Sequence, residues 1–197
     1  MTAKIIPLRR VEGEIPELSD EALLAACSTG DTAALGALFD RFHAAVYRVA
    51  GRFPLTDDLA RDDLVQATFM EVRRVAHTYR GASSVRTWIL GIAANLARRV
   101  YRGEQRRRVR QARYVELPTT STLGVDEQVD RRQLLARIQI AVAELPHDQQ
   151  VAFVLCDLEQ LPCTDVARSL GVPDGTMARR LHDARKAVRA ALERGTR

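Results

Sequence analysis

The stretch TMARRLHDARKAV, residues 176–188, gathers guanidinium, imidazole, ammonium and carboxylate groups into one short helical-looking run. Arginine leads it. Its planar fork donates paired hydrogen bonds to a phosphate or to the edge of a guanine. Wound at about 3.6 residues per turn, the run puts Met177, Leu181, Ala184 and Val188 on one stripe that must face a core. Arg179, His182, Asp183 and Lys186 then point away from that core, with Arg180 and Arg185 on the two flanks. A donor-bearing face between arginine flanks fits a helix lying in a major groove between two phosphate backbones. A solvated basic face would show the same charges. The residues just before decide between these readings. Ala167 precedes Gly171 by four positions and Met177 follows it by six, offsets that suit a helix-turn-helix. Pro173 and Gly175 punctuate the turn, and Thr176 is the expected cap of the second helix.

A second run with binding chemistry spans residues 85–113. Val85, Trp88, Ile89, Ile92 and Leu96 share a stripe that reads as buried, while Thr87, Gly91, Ala94 and Arg98 face the other way. Small residues ending in an arginine allow close approach by nucleic acid or by another helix. Asn95, at the edge of that face, has the donor–acceptor pair suited to an unstacked base. Arg98, Arg99, Arg102, Arg106, Arg107, Arg108, Arg110 and Arg113 continue as a basic run tempered by Glu104. Beside the small-residue face it reads as a track for single strands and their phosphates. The stripe position of Trp88 assigns it to core packing over base stacking. Earlier, residues 62–76 bury Val65, Phe69, Val72 and Ala76 and turn Asp63, Gln66, Ala67, Met70 and Arg74 outward.

Bond-making chemistry finds no such support. The chain carries no G-x-x-x-x-G-K-[ST], no H-E-x-x-H and no paired-cysteine motif, so no enzyme, cofactor, metal site or small-molecule substrate is expected. His43, His77, His147 and His182 are dispersed. Cys156 sits on an apolar stripe and Cys163 begins a helix after Pro162, which favours structural roles over a site shared with His147. With Cys27 they are too few and too scattered for a disulfide framework, which suits a reducing cytoplasm. No stretch reads as a signal peptide, and the longest apolar run, WILGIAA at 88–94, falls far short of a membrane span. The net charge is +5, and of 30 basic residues only Lys4 and Lys186 are lysines. That balance favours an anionic partner, although GC-rich codons would also enrich arginine.

The elements that position these residues are helices, and no strand alternation competes with them. Ser19-Asp20-Glu21 caps a first helix that Gly30 ends, and Asp31 caps a second reaching about Phe53-Pro54. A third runs from about Thr56-Asp57-Asp58 to about Tyr79. After the RGASS loop, Ser84 caps a fourth from Val85 to about Arg102. From Gly103 the chain loses apolar periodicity and carries Pro, Thr, Ser and Gly, the composition of a linker. Its 28 residues reach on the order of 90 Å when stretched at about 3.3 Å each, beyond two turns of DNA at roughly 34–36 Å per turn. Beyond it, Leu135, Ile138, Val142 and Leu145 form one apolar stripe and Val151, Phe153, Leu155 and Cys156 another. The expected fold is all-α: two small helical domains joined by a flexible linker, the second containing the helix-turn-helix. The divisions are a polar leader at 1–18, a first domain at 19–103, a linker at 104–130 and a second domain at 131–197.

YRGASSVRTWILGIAANLARRVYR, residues 79–102, resembles the promoter-melting region of bacterial sigma factors of the extracytoplasmic-function (ECF) type. DDLVQATFMEVRRV at 62–75 is similar to that family's core-polymerase-binding helix. LPHDQQVAFVLCDLEQLPCTDVARSLGVPDGTMARRLHDARKAVRAAL, from 145, is similar to its C-terminal DNA-binding region. The motifs stand in the family's order and cover roughly 19–193. The resemblance implies core RNA polymerase and promoter DNA, duplex and single-stranded, as partners, with an anti-sigma factor commonly holding such proteins inactive. It places core binding on Asp63, Gln66, Ala67, Met70 and Arg74. It places the downstream promoter element on Tyr79, Ser83, Ser84, Thr87, Asn95, Arg98, Arg99 and Arg102. The upstream element falls to Thr176, Ala178, Arg179, Arg180, His182, Asp183, Arg185 and Lys186, and the linker would thread into polymerase. Ala67, Ala82 and Ala178 depart from the family pattern, which often has acidic residues at the first two positions and a basic one at the third. The rival reading is a two-domain regulator with a sensor in front of its helix-turn-helix. SSVRTWILGIAANLARR argues against it, because a sensor domain has no reason for a melting-region pattern.

Overall fold

The computed structural model describes residues 18–53, 58–97 and 137–194, and every regular element among them is helical. Helix α1 spans Asp20–Ser28, α2 Thr32–Ala50 and α3 Asp58–Val75, followed by a 3-10 turn at Ala76–Thr78. Helix α4 covers 85–97 and α5 covers 137–143 of the described residues. Then come α6 at His147–Ala152, a π-helical segment at Phe153–Leu158, α7 at Cys163–Leu170 and α8 at Asp174–Arg194.

Local chemistry starts these helices where the sequence places them. Ser19 Oγ accepts from the Ala22 amide at 3.2 Å, and Asp31 Oδ1 accepts from Ala33 and Ala34 at 2.8 and 3.1 Å. Ser84 Oγ accepts from the Thr87 amide at 3.1 Å. Each satisfies an amide that the helix itself leaves without a partner. Helix α2 ends at Ala50, short of the expected Phe53-Pro54, because Arg52 and Phe53 donate to the carbonyls of Val49 and Ala50 in a tightened turn. Thr56 and Asp57, expected to open the third helix, lie outside the described residues, as does the linker.

Helix α2 packs against both α1 and α3. Leu23, Leu24, Leu38, Val46, Val49, Phe69 and Val72 form the centre of this N-terminal unit and are almost wholly buried, each contributing about 1.5–3 kcal/mol if fully withdrawn from water. Thr68 is the polar member of that centre, and its hydroxyl donates to the Leu64 carbonyl at 2.7 Å. In the C-terminal unit α8 packs on α6 and α7. Val142, Val154, Leu155, Val166, Met177, Leu181 and Val188 fill its centre. Gln150 is buried there, and its side-chain amide donates to the Val142 carbonyl at 3.1 Å, tying α6 to α5.

The π-helical segment was not foreshadowed by apolar spacing. It turns Phe153, Val154, Leu155 and Cys156 all inward and closes with the Glu159 amide donating to Val154. Burial, then the neighbouring Cys163, pushes the Cys156 thiol up to about 12, so at neutral pH it packs as a small apolar group. Gln160 then adopts the left-handed region at φ 55°, which reverses the chain towards α7.

Candidate functional site

Helix α7 ends at Gly171, whose φ of 66° and ψ of 32° place it in the left-handed region. A side chain there would meet a penalty of roughly 1–2 kcal/mol. The Pro173 carbonyl accepts from the amides of Thr176 and Met177, and α8 begins at Asp174. Thr176 therefore lies inside the first turn rather than capping it, because the carbonyl of Pro173 already receives the leading amides. Met177, Leu181, Ala184 and Val188 are buried as their spacing required. On the opposite face Thr176, Ala178, His182 and Lys186 are exposed, and the Arg179 side chain is 86% exposed.

The two flanking arginines are committed within the unit. Arg180 donates to Asp148 Oδ2 on α6 at 2.7 Å. Arg185 forks onto both carboxylate oxygens of Asp157 at 2.8 and 2.6 Å, a pairing that raises its pKa further above the usual arginine value. The buried stripe fixes the rotation of α8, and these contacts hold its two flanks to α6 and the π-helical segment. Asp183 lies 3.9 Å from Arg179, so the acidic member of the face sits beside an exposed cation.

On α3, Asp63, Gln66, Ala67, Met70 and Arg74 are all exposed, while Val65, Phe69, Val72 and Ala76 are buried. Met70 is 62% exposed, and Arg74 forks onto Glu71 at 2.8 and 2.7 Å. Leu59, one turn before Asp63 on the same stripe, is 70% exposed. The outward face thus has an apolar residue on each side of its polar centre. Sequence reasoning missed Leu59 because it took Asp63 as the start of the stripe.

The 79–97 stretch departs from expectation. Tyr79 is half-buried, edge-on to Trp88 at 5.5 Å, and its hydroxyl donates to the Ser83 carbonyl at 2.6 Å. Burial, then the nearby Glu21 and Asp20, raises its pKa. Ser83 is buried, whereas Ser84 and Asn95 are exposed. Thr87, Gly91 and Ala94, expected to face outward, are buried instead. Val85 and Ile89 are buried as expected, but Trp88, Ile92 and Leu96 are only half-buried while Leu90, Ala93 and Ala97 are buried, so the buried side of α4 is rotated towards the small-residue face, part of which α7 contacts. Ser169 Oγ donates to the Thr87 carbonyl at 3.3 Å. A Cβ built on Gly91 would stand 2.5 Å from Ser169 Oγ and 3.5 Å from Leu170 Cδ2. Arg98, Arg99 and Arg102 lie outside the described residues.

Two further joints flank this contact. Glu159, whose side chain is 3% exposed, accepts from Arg48 Nε and Nη2 on α2 at 3.2 Å each. Arg86 Nη2 on α4 lies 3.6 Å from the same carboxylate. Phe53 and His147 stack with ring centroids 6.1 Å apart. No local motif singles out Glu159, Arg48, Arg86 or Ser169, and their importance arises only when the two halves meet.

Residues 38–107 match the Sigma-70 region 2 family and residues 135–188 the Sigma-70 region 4 family. The fold and these regions thus define a sigma-factor class of protein. The chain is 31% identical over 170 residues to the ECF RNA polymerase sigma factor SigM of Mycobacterium tuberculosis, covering 86% of this chain and 82% of that protein. It belongs to the ECF RNA polymerase sigma factors. Among solved structures, CnrH in complex with the cytosolic domain of CnrY has a similar fold, with a TM-score of 0.63 and 22% identity over 88% of this chain and 97% of that one. The sigma factor RpoE of Bartonella quintana, solved with the anti-sigma factor NepR, gives a TM-score of 0.56 and 20% identity over 80% and 95%. Among the described residues no helix is long and apolar enough to cross a membrane.

Proposed function

We propose that this chain is an alternative sigma factor that binds core RNA polymerase, directs it to particular promoters and opens them. One arrangement carries the reading: regions 2 and 4 follow each other on one chain, and the second presents the exposed face of α8. That face, Thr176, Ala178, Arg179, His182, Asp183 and Lys186, enters the major groove of the upstream promoter element, with Arg180 and Arg185 beside the phosphates. Asp63, Gln66, Ala67, Met70 and Arg74, joined by Leu59, dock on a helical surface of core polymerase. Tyr79, Ser83, Ser84, Thr87, Asn95, Arg98, Arg99 and Arg102 hold the downstream element and its displaced strand. Residues 19–103 and 131–197 act as separate units, with 104–130 as the linker threading into polymerase. An anti-sigma factor is a further partner, by analogy with the Bartonella complex. The reading contains no catalytic step of the chain's own.

Run-off transcription with purified core enzyme on a promoter library tests it. Specific transcripts that require both proteins are expected. A chain that binds duplex elements alone but never supports initiation is a conventional regulator instead, and the sigma reading then fails.

A further inference from the structure

The two cysteines of the C-terminal unit meet across its least regular joint. Cys156 lies in the π-helical segment and is buried, while Cys163 is the first residue of α7 and is half-buried. Between them the chain reverses at Gln160 and is pinned by the Leu161 amide, which donates to the Leu155 carbonyl at 3.1 Å. That turn brings the two thiols into a hydrogen bond with each other. The Arg185 guanidinium of α8 lies near both sulfurs. It is held there by Asp157, the residue that follows Cys156. A thiol pair in contact beside a cation has the make-up of a reversible two-electron redox site.

We propose that Cys156 and Cys163 form a redox site that hydrogen peroxide closes to an intramolecular disulfide, and that closure weakens the grip of α8 on the upstream element. The second half rests on the reading of α8 as the groove-entering helix. The more accessible Cys163 sulfur, having lost its proton, attacks one oxygen of the peroxide. The O–O bond breaks, leaving a sulfenic acid on Cys163, and the departing hydroxide takes up the released proton as water. The Cys156 sulfur then attacks the sulfenic sulfur. The S–O bond breaks, and the second hydroxide leaves with the Cys156 proton as another water. Two thiols have lost two electrons and the peroxide has gained them. Burial holds the proton on Cys156 at neutral pH, which makes Cys163 the first to react and Cys156 its resolving partner. Closing the bond brings the sulfurs to about 2.05 Å, nearer than a hydrogen bond leaves them, so the start of α7 is drawn towards the π-helical segment. Asp157 moves with Cys156, and with it the fork that holds one flank of α8. A binding face must be held within about 0.5 Å of its productive geometry, so a displacement at the root of both helices reaches the groove.

The full chain tests this after treatment with hydrogen peroxide, removal of the peroxide by catalase, denaturation and alkylation with iodoacetamide. Trypsin then releases residues 138–168, which hold both cysteines. From oxidised wild type this peptide should be two hydrogens lighter and unalkylated, and after dithiothreitol it should take two alkyl groups. Cys163→Ser should keep Cys156 alkylatable after the same peroxide. A wild-type peptide that still takes both alkyl groups, or that carries a Cys163 sulfinic acid beside an alkylated Cys156, overturns the site. Oxidised wild type, mixed with untreated core polymerase, should bind promoter DNA about tenfold more weakly, the scale of one lost contact. Dithiothreitol should restore that binding, and Cys163→Ser should bind equally before and after peroxide. Equal binding by oxidised and reduced wild type overturns the coupling to α8. The mass readout needs neither DNA nor polymerase, whereas a reduced chain that never directs initiation would strike the sigma reading alone.

Discussion

Arg179 and Arg185 are separated by less than two turns of α8, yet their surroundings assign them different work. Arg179 projects into solvent with only a long contact to Asp183, so its fork is available to a base edge. Arg179→Ala should shift the preferred upstream element and reduce discrimination at one base pair by roughly 1–3 kcal/mol, measured on a library with polymerase present and salt fixed. Arg185 is held by Asp157 on the π-helical segment. Arg185→Ala should weaken binding about equally on all sequences and also destabilise the chain by about 0.2–1 kcal/mol, read by urea unfolding. A shift of preferred sequence in the Arg185 variant, with a uniform loss in the Arg179 variant, would show that α8 enters the groove in another rotation.

At the scale of elements, α3 exposes two large apolar groups on one stripe, Leu59 and Met70. Met70→Asp should weaken core-polymerase binding by about 1–3 kcal/mol, roughly 5- to 150-fold, with unchanged helical content by circular dichroism. Equal affinity of mutant and wild type would remove this face from the interface. The π-helical segment carries a pH dependence. The Cys156 thiol is raised in the folded chain above its ordinary value, so its protonated form contributes fully below about pH 9 and that contribution is lost as pH climbs towards 12. Thermal melts of wild type should fall more steeply over that alkaline window than those of Cys156→Ala. The starts of α1, α2 and α4 were legible because Ser19, Asp31 and Ser84 act on amides within three residues. The stripes of α3 and α8 were legible because burial there follows the helical period. Thr176 misled because a threonine at a turn competes with a proline carbonyl that sequence spacing does not reveal. The π-helical segment was illegible for a related reason: its continuous apolar run fits more than one helical period.

For the whole molecule, charge and reach come from the arginine run and the linker, while closure comes from pairings that no local pattern announces. Replacing Arg98 and Arg102 with alanine should reduce promoter opening and lower the log–log salt slope by about 0.7–0.9 for each phosphate that is no longer neutralised. An unchanged slope would make the run a solvated spacer. The burial of Thr87 was invisible in the sequence because Ser169 stands 82 residues away, and the clamp from Arg48 to Glu159 spans 111. That separation also has a meaning in time. A ribosome must add 78 residues after Gly91 before Ser169 exists, about 4–16 s at roughly 5–20 residues per second. Until then α4 lacks the contacts that Ser169 and Leu170 make beside Gly91 and Thr87.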